Sequence, residues 1–287
     1  MGLMETEETN KFTFEAFAAH PFYTAINHLL VRQALSELSS RPGDDAVTIV
    51  DMACGTGAVT RLIAMEMVQQ RRQVHLIGID PSAEALRRAQ NSMESMPVKA
   101  EFIQGDADEL PSIVHDVDIA FFCNAIHLVP DKRSAFKQMA SILVPGGIFA
   151  CNSAFYEGTY VEGTERFYHL WTRRAVGWLR KEHPEVRLSR EAKAMAMQWL
   201  TPVEYIDSLK QAGFDKVETT SQDVLISLDA WRDLGQYWLF IEGALPGVPL
   251  AFGASALENA VYQAGQELGL TEVARTWLQI IATKAKA

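Results

Sequence analysis

Hydrophobic spacing divides the 287-residue chain into three stretches of different rhythm. Residues 13–38 place Phe14, Phe17, Phe22, Ile26, Leu29, Leu30 and Leu35 at helical intervals. The polar stretch SSRPGDD then reads as a loop. From residue 47 the pattern alternates between short apolar runs and helical runs. VTIVD is a strand, AVTRLIAMEMVQQRR a helix, VHLIGID a strand, and SAEALRRAQNSM a helix opened by Ser82. VKAEFIQGD and VDIAFFCNAIHLV follow, then the helical DKRSAFKQMASIL and the strand IFACNS after PGG. Strands alternating with helices predict an α/β fold with a parallel sheet covered on both faces. The strands are almost continuously apolar, as burial on both faces requires.

Beyond residue 155 the rhythm changes, and all six tryptophans fall there: Trp171, Trp178, Trp199, Trp231, Trp238 and Trp277. The spacing predicts helices over 162–182, 229–245 and 253–268, with ALPGVPL between the last two. TPVEYIDSLKQAGF carries a capping box, Thr201 with Glu204, and a terminating Gly213. DKVETTSQDVLIS and TWLQIIATKA read as strands.

Charge narrows the partners. The net charge of −10 repels phosphate backbones, which argues against nucleic acid. No run reaches the length of a membrane span, and MGLMETEETNKF lacks the basic-then-apolar order of a secretory signal, so a soluble cytoplasmic protein is expected. Cys54, Cys123 and Cys151 are too few and too scattered for a disulfide framework or a zinc site, and no metal is expected.

The candidate chemistry lies at the tips of the first strands. In IVDMACGTGAVTRLIA a strand ends in an acid and turns through Gly55 and Gly57 into a helix. Such a turn lets backbone N–H groups approach a ligand. The dinucleotide fingerprint GxGxxG fails, because its third place is Thr60. Asp51 before the turn would repel a pyrophosphate and suits a cationic ligand. Asp80 ends the second strand, where a carboxylate accepts ribose hydroxyls. In QGDADELP, Asp106 is placed to accept from an adenine amine and the Ala107 N–H to meet a ring nitrogen. An amine, a ribose and an adenine without phosphates describe S-adenosylmethionine.

With these motifs in order, the chain resembles the class I S-adenosylmethionine-dependent methyltransferases, nearest the small-molecule branch of ubiquinone and menaquinone biosynthesis type. VDMACGTGAVT, GIDPSAEAL, QGDADELP, NAIHLVPD and LVPGGIFA carry the resemblance over about residues 47–155. Ala53 departs from it, standing where the family's turn has its first glycine; alanine is a tolerated replacement there if φ is negative. The resemblance implies a Rossmann-like seven-stranded sheet with the last strand antiparallel. It also implies cofactor contacts from Asp51, Ala53, Gly55, Gly57, Asp80, Asp106, Ala107 and Asn124, with Cys54 and Pro81 in the same turns.

The expected organisation is an N-terminal helical segment (1–45), a cofactor-binding core (46–155), a first lid insertion (156–200), a core helix and strand (201–223), a second lid insertion (224–272) and a last core strand (273–287). Candidate catalytic residues are His127, as a general base, and Tyr156, Glu157 and Glu242. The aromatic insertions suit a small apolar or aromatic metabolite, methylated at oxygen or carbon, of the kind found in secondary metabolism; a homodimer is open. Two rivals stand beside this reading. One is a nicotinamide-dependent oxidoreductase, and the other a non-catalytic cofactor-binding scaffold of the same fold.

Overall fold

A computed structural model describes residues 9–38, 46–189 and 199–286. Seven strands form one sheet in the order β3-β2-β1-β4-β5-β7-β6. They are β1 (Val47–Met52), β2 (Val74–Asp80), β3 (Ala100–Gln104), β4 (Val117–Cys123), β5 (Leu143–Ser153), β6 (Phe214–Ser227) and β7 (Glu272–Lys284). β1 to β5 are parallel, and β7 runs antiparallel between β5 and β6. This is the sheet that the resemblance implies.

The helices are α1 (Glu15–Ala18), α2 (Pro21–Leu38), α3 (Ala58–Gln69), α4 (Ala83–Met93), α5 (Leu110–Ile113), α6 (Lys132–Ile142), α7 (Glu165–Glu182), α8 (Pro202–Gln211), α9 (Leu228–Leu234), α10 (Trp238–Ala244) and α11 (Leu250–Leu268). α2, α3 and β1 contribute to the core on one face of the sheet. Tyr205, Leu209 and Phe136, from α8 and α6, pack on the other. A third core joins α7, α9, α10 and α11 to Phe17 of α1 and to Trp277 of β7.

Local chemistry explains most element ends. The Ser82 side chain accepts from the Ala85 N–H at 3.0 Å and starts α4. The capping box of α8 is formed as expected: Thr201 accepts from the Glu204 N–H, and Glu204 accepts from the Thr201 N–H at 2.8 Å. Two expectations need correction. The stretch 13–38 is two helices, because Pro21, which lacks an N–H, can open α2 but cannot continue α1. The stretch 229–245 is also two, α9 ending at Gly235 and α10 starting at Trp238. The strand read over DKVETTSQDVLIS forms as expected: β6 stays in register with β7 as far as Ser227↔Glu272, and α9 follows from Leu228.

Candidate active site

The carboxyl ends of β1, β2, β4 and β5 open into a cavity of about 830 Å³, where open α/β sheets place ligands. Its floor comes from the core. Its roof comes from Phe14 and Phe17, from α7, from Trp199, and from the segment of Leu234 to Ala244. The Trp238 N–H donates to the Phe12 carbonyl at 3.0 Å, tying α10 to the N-terminal segment.

The acidic end is built by the strand tips. Asp51, at the end of β1, is 1% exposed, and its Oδ2 accepts from Thr60 Oγ1 at 2.6 Å. Burial raises its pKa to about 7, with the Thr60 hydrogen bond opposing and the nearby Asp80 charge adding to the rise. Thr60 fills the third-glycine place, so the residue that breaks the dinucleotide fingerprint has a task of its own. Asp80 accepts two backbone bonds, from the Gly55 N–H at 2.8 Å and the Ser82 N–H at 2.9 Å. These lock the glycine turn to the tip of β2. Cys54, Gly55, Pro81, Asp106 and Ala107 line the same cavity.

Three details differ from expectation. Ala53 lines the cavity with φ of +55°, in the left-handed region rather than at negative φ. A side chain there costs roughly 1–2 kcal/mol, so the replaced glycine is a strained substitution. Gly57 does not line the cavity. Its φ is +82°, and an added Cβ would lie 3.1 Å from Ala89 Cβ, so it serves the turn and the packing of α3 on α4. The Ala107 N–H, which the adenine reading reserves for a ring nitrogen, is donated to Asp106 Oδ1 at 2.6 Å.

Asn124 follows β4 at φ of +56° and lines the cavity. Its carboxamide joins elements far apart in the chain. Nδ2 donates to the Tyr23 hydroxyl at 3.0 Å and to Asn27 Oδ1 at 2.9 Å, and Oδ1 accepts from Trp277 Nε1 at 3.0 Å. Asn124 thus fastens α2 and β7 to the cavity floor, a role the motif did not reveal.

Of the four candidate catalytic residues, the structure brings only His127 to the cavity. Its ring lies 4.6 Å from that of Phe155, and its Nδ1 shares a hydrogen bond with Ser153 Oγ at 3.0 Å. Burial, with the nearby Lys132 and Arg275 charges adding to it, lowers its pKa to about 3. It is neutral throughout the physiological range, so the expected titration near the ordinary histidine value does not arise. Lys132 donates to the His127 and Val129 carbonyls at 3.3 and 2.9 Å and shapes this loop. Tyr156 is buried in the core on the α6–α8 face of the sheet, away from the cavity. Glu157 and Glu242 are exposed and lie outside the cavity lining.

The cysteines are all buried free thiols, and burial raises the pKa of each. Among the described residues no group of three or more His, Cys, Asp or Glu side chains is placed to hold a metal ion. Among them, too, no helix is long and apolar enough to cross a membrane.

Residues 49–147 match the family described as "Methyltransferase domain". The chain resembles the methyltransferases in this core. Among curated proteins it is 31% identical over 119 residues to a trans-aconitate 2-methyltransferase of Azoarcus sp., covering 42% of this chain and 44% of that protein. It is 29% identical to a demethylmenaquinone methyltransferase of Desulfitobacterium hafniense, covering 41% and 45%. The chain therefore spans less than half the length of these two relatives. Solved structures share the fold across nearly the whole methyltransferase-like chain. A putative sarcosine dimethylglycine methyltransferase from Galdieria sulphuraria superposes with a TM-score of 0.56 at 13% identity, covering 97% of this chain and 99% of that one. An N-methyltransferase 2 of Haemonchus contortus, solved with phosphomonomethylethanolamine and S-adenosylhomocysteine, gives 0.54 at 16%, covering 98% and 59%.

Proposed function

We propose that the chain is an S-adenosylmethionine-dependent methyltransferase acting on a small, largely apolar metabolite. The observation that carries this is the pairing inside one cavity of an acidic, backbone-lined end with an aromatic end. The donor set at the acidic end fits the cofactor. Asp51 is a buried carboxylate with its pKa raised to about 7, a group that a neighbouring ammonium or sulfonium would ionise and stabilise. Asp80 and Asp106 are the acceptors for ribose and adenine, and the glycine turn supplies close backbone approach. A diphosphate would instead meet three carboxylates.

Bound there, the cofactor supplies a methyl group already activated for transfer. The chain's own residues then have to position and desolvate. Phe155, Tyr168, Trp171, Tyr237 and Trp238 give the substrate end apolar walls that exclude water. The neutral His127 has Nδ1 engaged by Ser153, which leaves Nε2 as its polar atom toward a ligand; it orients the acceptor by a hydrogen bond rather than taking a proton at neutral pH. The segments 156–189 and 228–268 act as a lid; the rest of the expected first insertion, 190–198, lies outside the described residues.

The test uses methyl-labelled S-adenosylmethionine with the protein and a host metabolite extract. The label should pass to a small organic product, and no such product should form with the Asp80→Ala variant. Transfer to protein or nucleic acid instead would overturn the substrate class.

A further inference from the structure

Arg275 of β7 is 3% exposed and lines the cavity wall. Its guanidinium carbon lies 4.8 Å from the ring centroid of Phe155, 4.9 Å from Tyr160, 5.1 Å from Tyr168, 5.8 Å from Trp199 and 5.9 Å from Trp231. Its Nε–H donates to the Ala154 carbonyl at 2.6 Å. Among the described residues no carboxylate pairs with it. Glu165 lines the same cavity and acts by its charge on the Tyr168 hydroxyl, but makes no ion pair with Arg275.

Three more donors around this cation lack an acceptor. Trp199 Nε1 and Trp231 Nε1 are buried and make no hydrogen bond within the protein; the buried Tyr168 hydroxyl faces Arg275, from which it accepts, and has no acceptor for its own proton. A buried cation without a counter-ion is costly, and so is each orphaned donor. The aromatic rings offset part of the first cost through cation–π attraction, but apart from the Tyr168 hydroxyl they offer the terminal guanidinium nitrogens no acceptor. One positive charge, a planar fork of N–H groups and neighbouring neutral donors form a receptor for a planar, singly charged acceptor.

We infer that Arg275, with the Tyr168 hydroxyl and Trp199 Nε1, holds a carboxylate of the substrate. The substrate is then an organic acid whose apolar body lies against the aromatic walls. A phosphate monoester fits less well, because among the described residues its second charge meets no free cation: Arg88, which also lines the cavity, is paired with Glu15 and Glu84, and the buried Lys132 is committed to backbone carbonyls. The inference rests on the methyltransferase reading for the rest of the cavity and adds the chemical class of the substrate.

The test is a calorimetric titration of the full chain, saturated with S-adenosylhomocysteine, with 3-phenylpropanoate, octanoate, 3-phenylpropanamide and phenyl phosphate. At least one acid should bind, and 3-phenylpropanoate should bind at least about tenfold more tightly than its amide. Arg275→Gln should bring the two within about twofold while the affinity for S-adenosylhomocysteine stays unchanged. Tyr168→Phe, which keeps the ring, should lower the acid preference about two- to fivefold. If circular dichroism shows that Arg275→Gln does not fold, the wild-type ratio and Tyr168→Phe decide.

Equal binding of acid and amide, no binding of either acid, or a preference that survives in Arg275→Gln would show that the guanidinium only braces the end of β5 through Ala154. Tighter binding of phenyl phosphate would overturn the choice of carboxylate. Acid preference without any binding of S-adenosylhomocysteine would sink the methyltransferase reading and leave the anion site standing, so the two failures are distinct.

Discussion

The two ends of the cavity are built in opposite ways. The acidic end comes from strand tips of one continuous core, and its main contacts span short stretches: Asp51 to Thr60, Gly55 to Asp80, Asp106 to Ala107. The aromatic end gathers Phe155, Tyr168, Trp199, Trp238 and Arg275 from separate segments of the chain. The carboxylates of the acidic end are held by backbone and hydroxyl donors of the protein itself. The aromatic end has buried donors still without partners. A site that must bind one invariant cofactor can be fixed by local turns. A site that must bind one substrate among many takes its specificity from inserted segments.

The largest effect should come from breaking the acidic end. Asp80→Ala removes the acceptor of two backbone N–H groups along with the proposed ribose contacts, each charge-assisted bond being worth about 1.5–3 kcal/mol. Affinity for S-adenosylhomocysteine should fall by tenfold or more in calorimetry, while binding of 3-phenylpropanoate persists. Loss of both together would mean that the two ends are not separable.

The pH response should sharpen the contrast next. If a cationic ligand requires ionised Asp51, affinity for S-adenosylhomocysteine should rise with pH up to about 7 and then level, changing by up to about tenfold per pH unit below that point. Asp51→Asn should bind weakly with little slope. The same residue works against stability in one window: its folded pKa lies above the unfolded value, so its contribution is complete below pH 3.8 and is lost as pH rises toward about 7. His127 has the opposite sign. Its folded pKa is depressed, so its contribution is complete above 6.5 and is lost as pH falls toward about 3. Denaturant melts of Asp51→Asn and His127→Gln across this range should each remove one of the two slopes.

At the boundary between the ends, His127→Ala should lower the transfer rate about 10- to 100-fold through lost orientation. His127→Asn should recover part of it, and neither rate should show a histidine titration between about pH 5 and 8. A wild-type rate that climbs through about pH 6.5 would restore the general-base reading.

The smallest effect tests the turn. Ala53→Gly should relieve the left-handed strain and stabilise the fold by about 1 kcal/mol, less the extra flexibility of glycine in the unfolded chain. That is roughly 2–4 °C in melting temperature. An unchanged or lower melting temperature would show that the strain is not felt.

How much was legible in the sequence follows the same division. The alternation of strands with helices and the acidic tips are readable because strand, turn and helix are encoded by neighbouring residues, as in IVDMACGTGAVT, whereas the single seven-stranded sheet with its antiparallel last strand follows only from the resemblance. The positive φ of Ala53 was not readable, since glycine alone signals that conformation and here it is absent. Arg275 was missed because the apolar run seemed to begin at Thr276. A charged residue reads as the end of a strand, whereas β7 begins at Glu272 and carries Arg275 into a buried position. The alternation of VARTWL was the available signal. Tyr156 and Glu157 stand out only because they follow the fifth strand, and Glu242 because it interrupts the apolar run YWLFIEGAL; which way such side chains face depends on packing that one sequence does not display. Nor did the helical stripe of 13–38 say that Phe14 and Phe17 would roof the cavity, because a stripe defines a buried face without its partner.

The central claim, that the acidic end takes a phosphate-free adenosyl ligand, is tested most directly by parallel calorimetric titrations with S-adenosylhomocysteine and NADH. The account predicts saturable one-to-one binding of S-adenosylhomocysteine and no heat from NADH beyond dilution. Binding of NADH, or of neither ligand by folded protein, would contradict it.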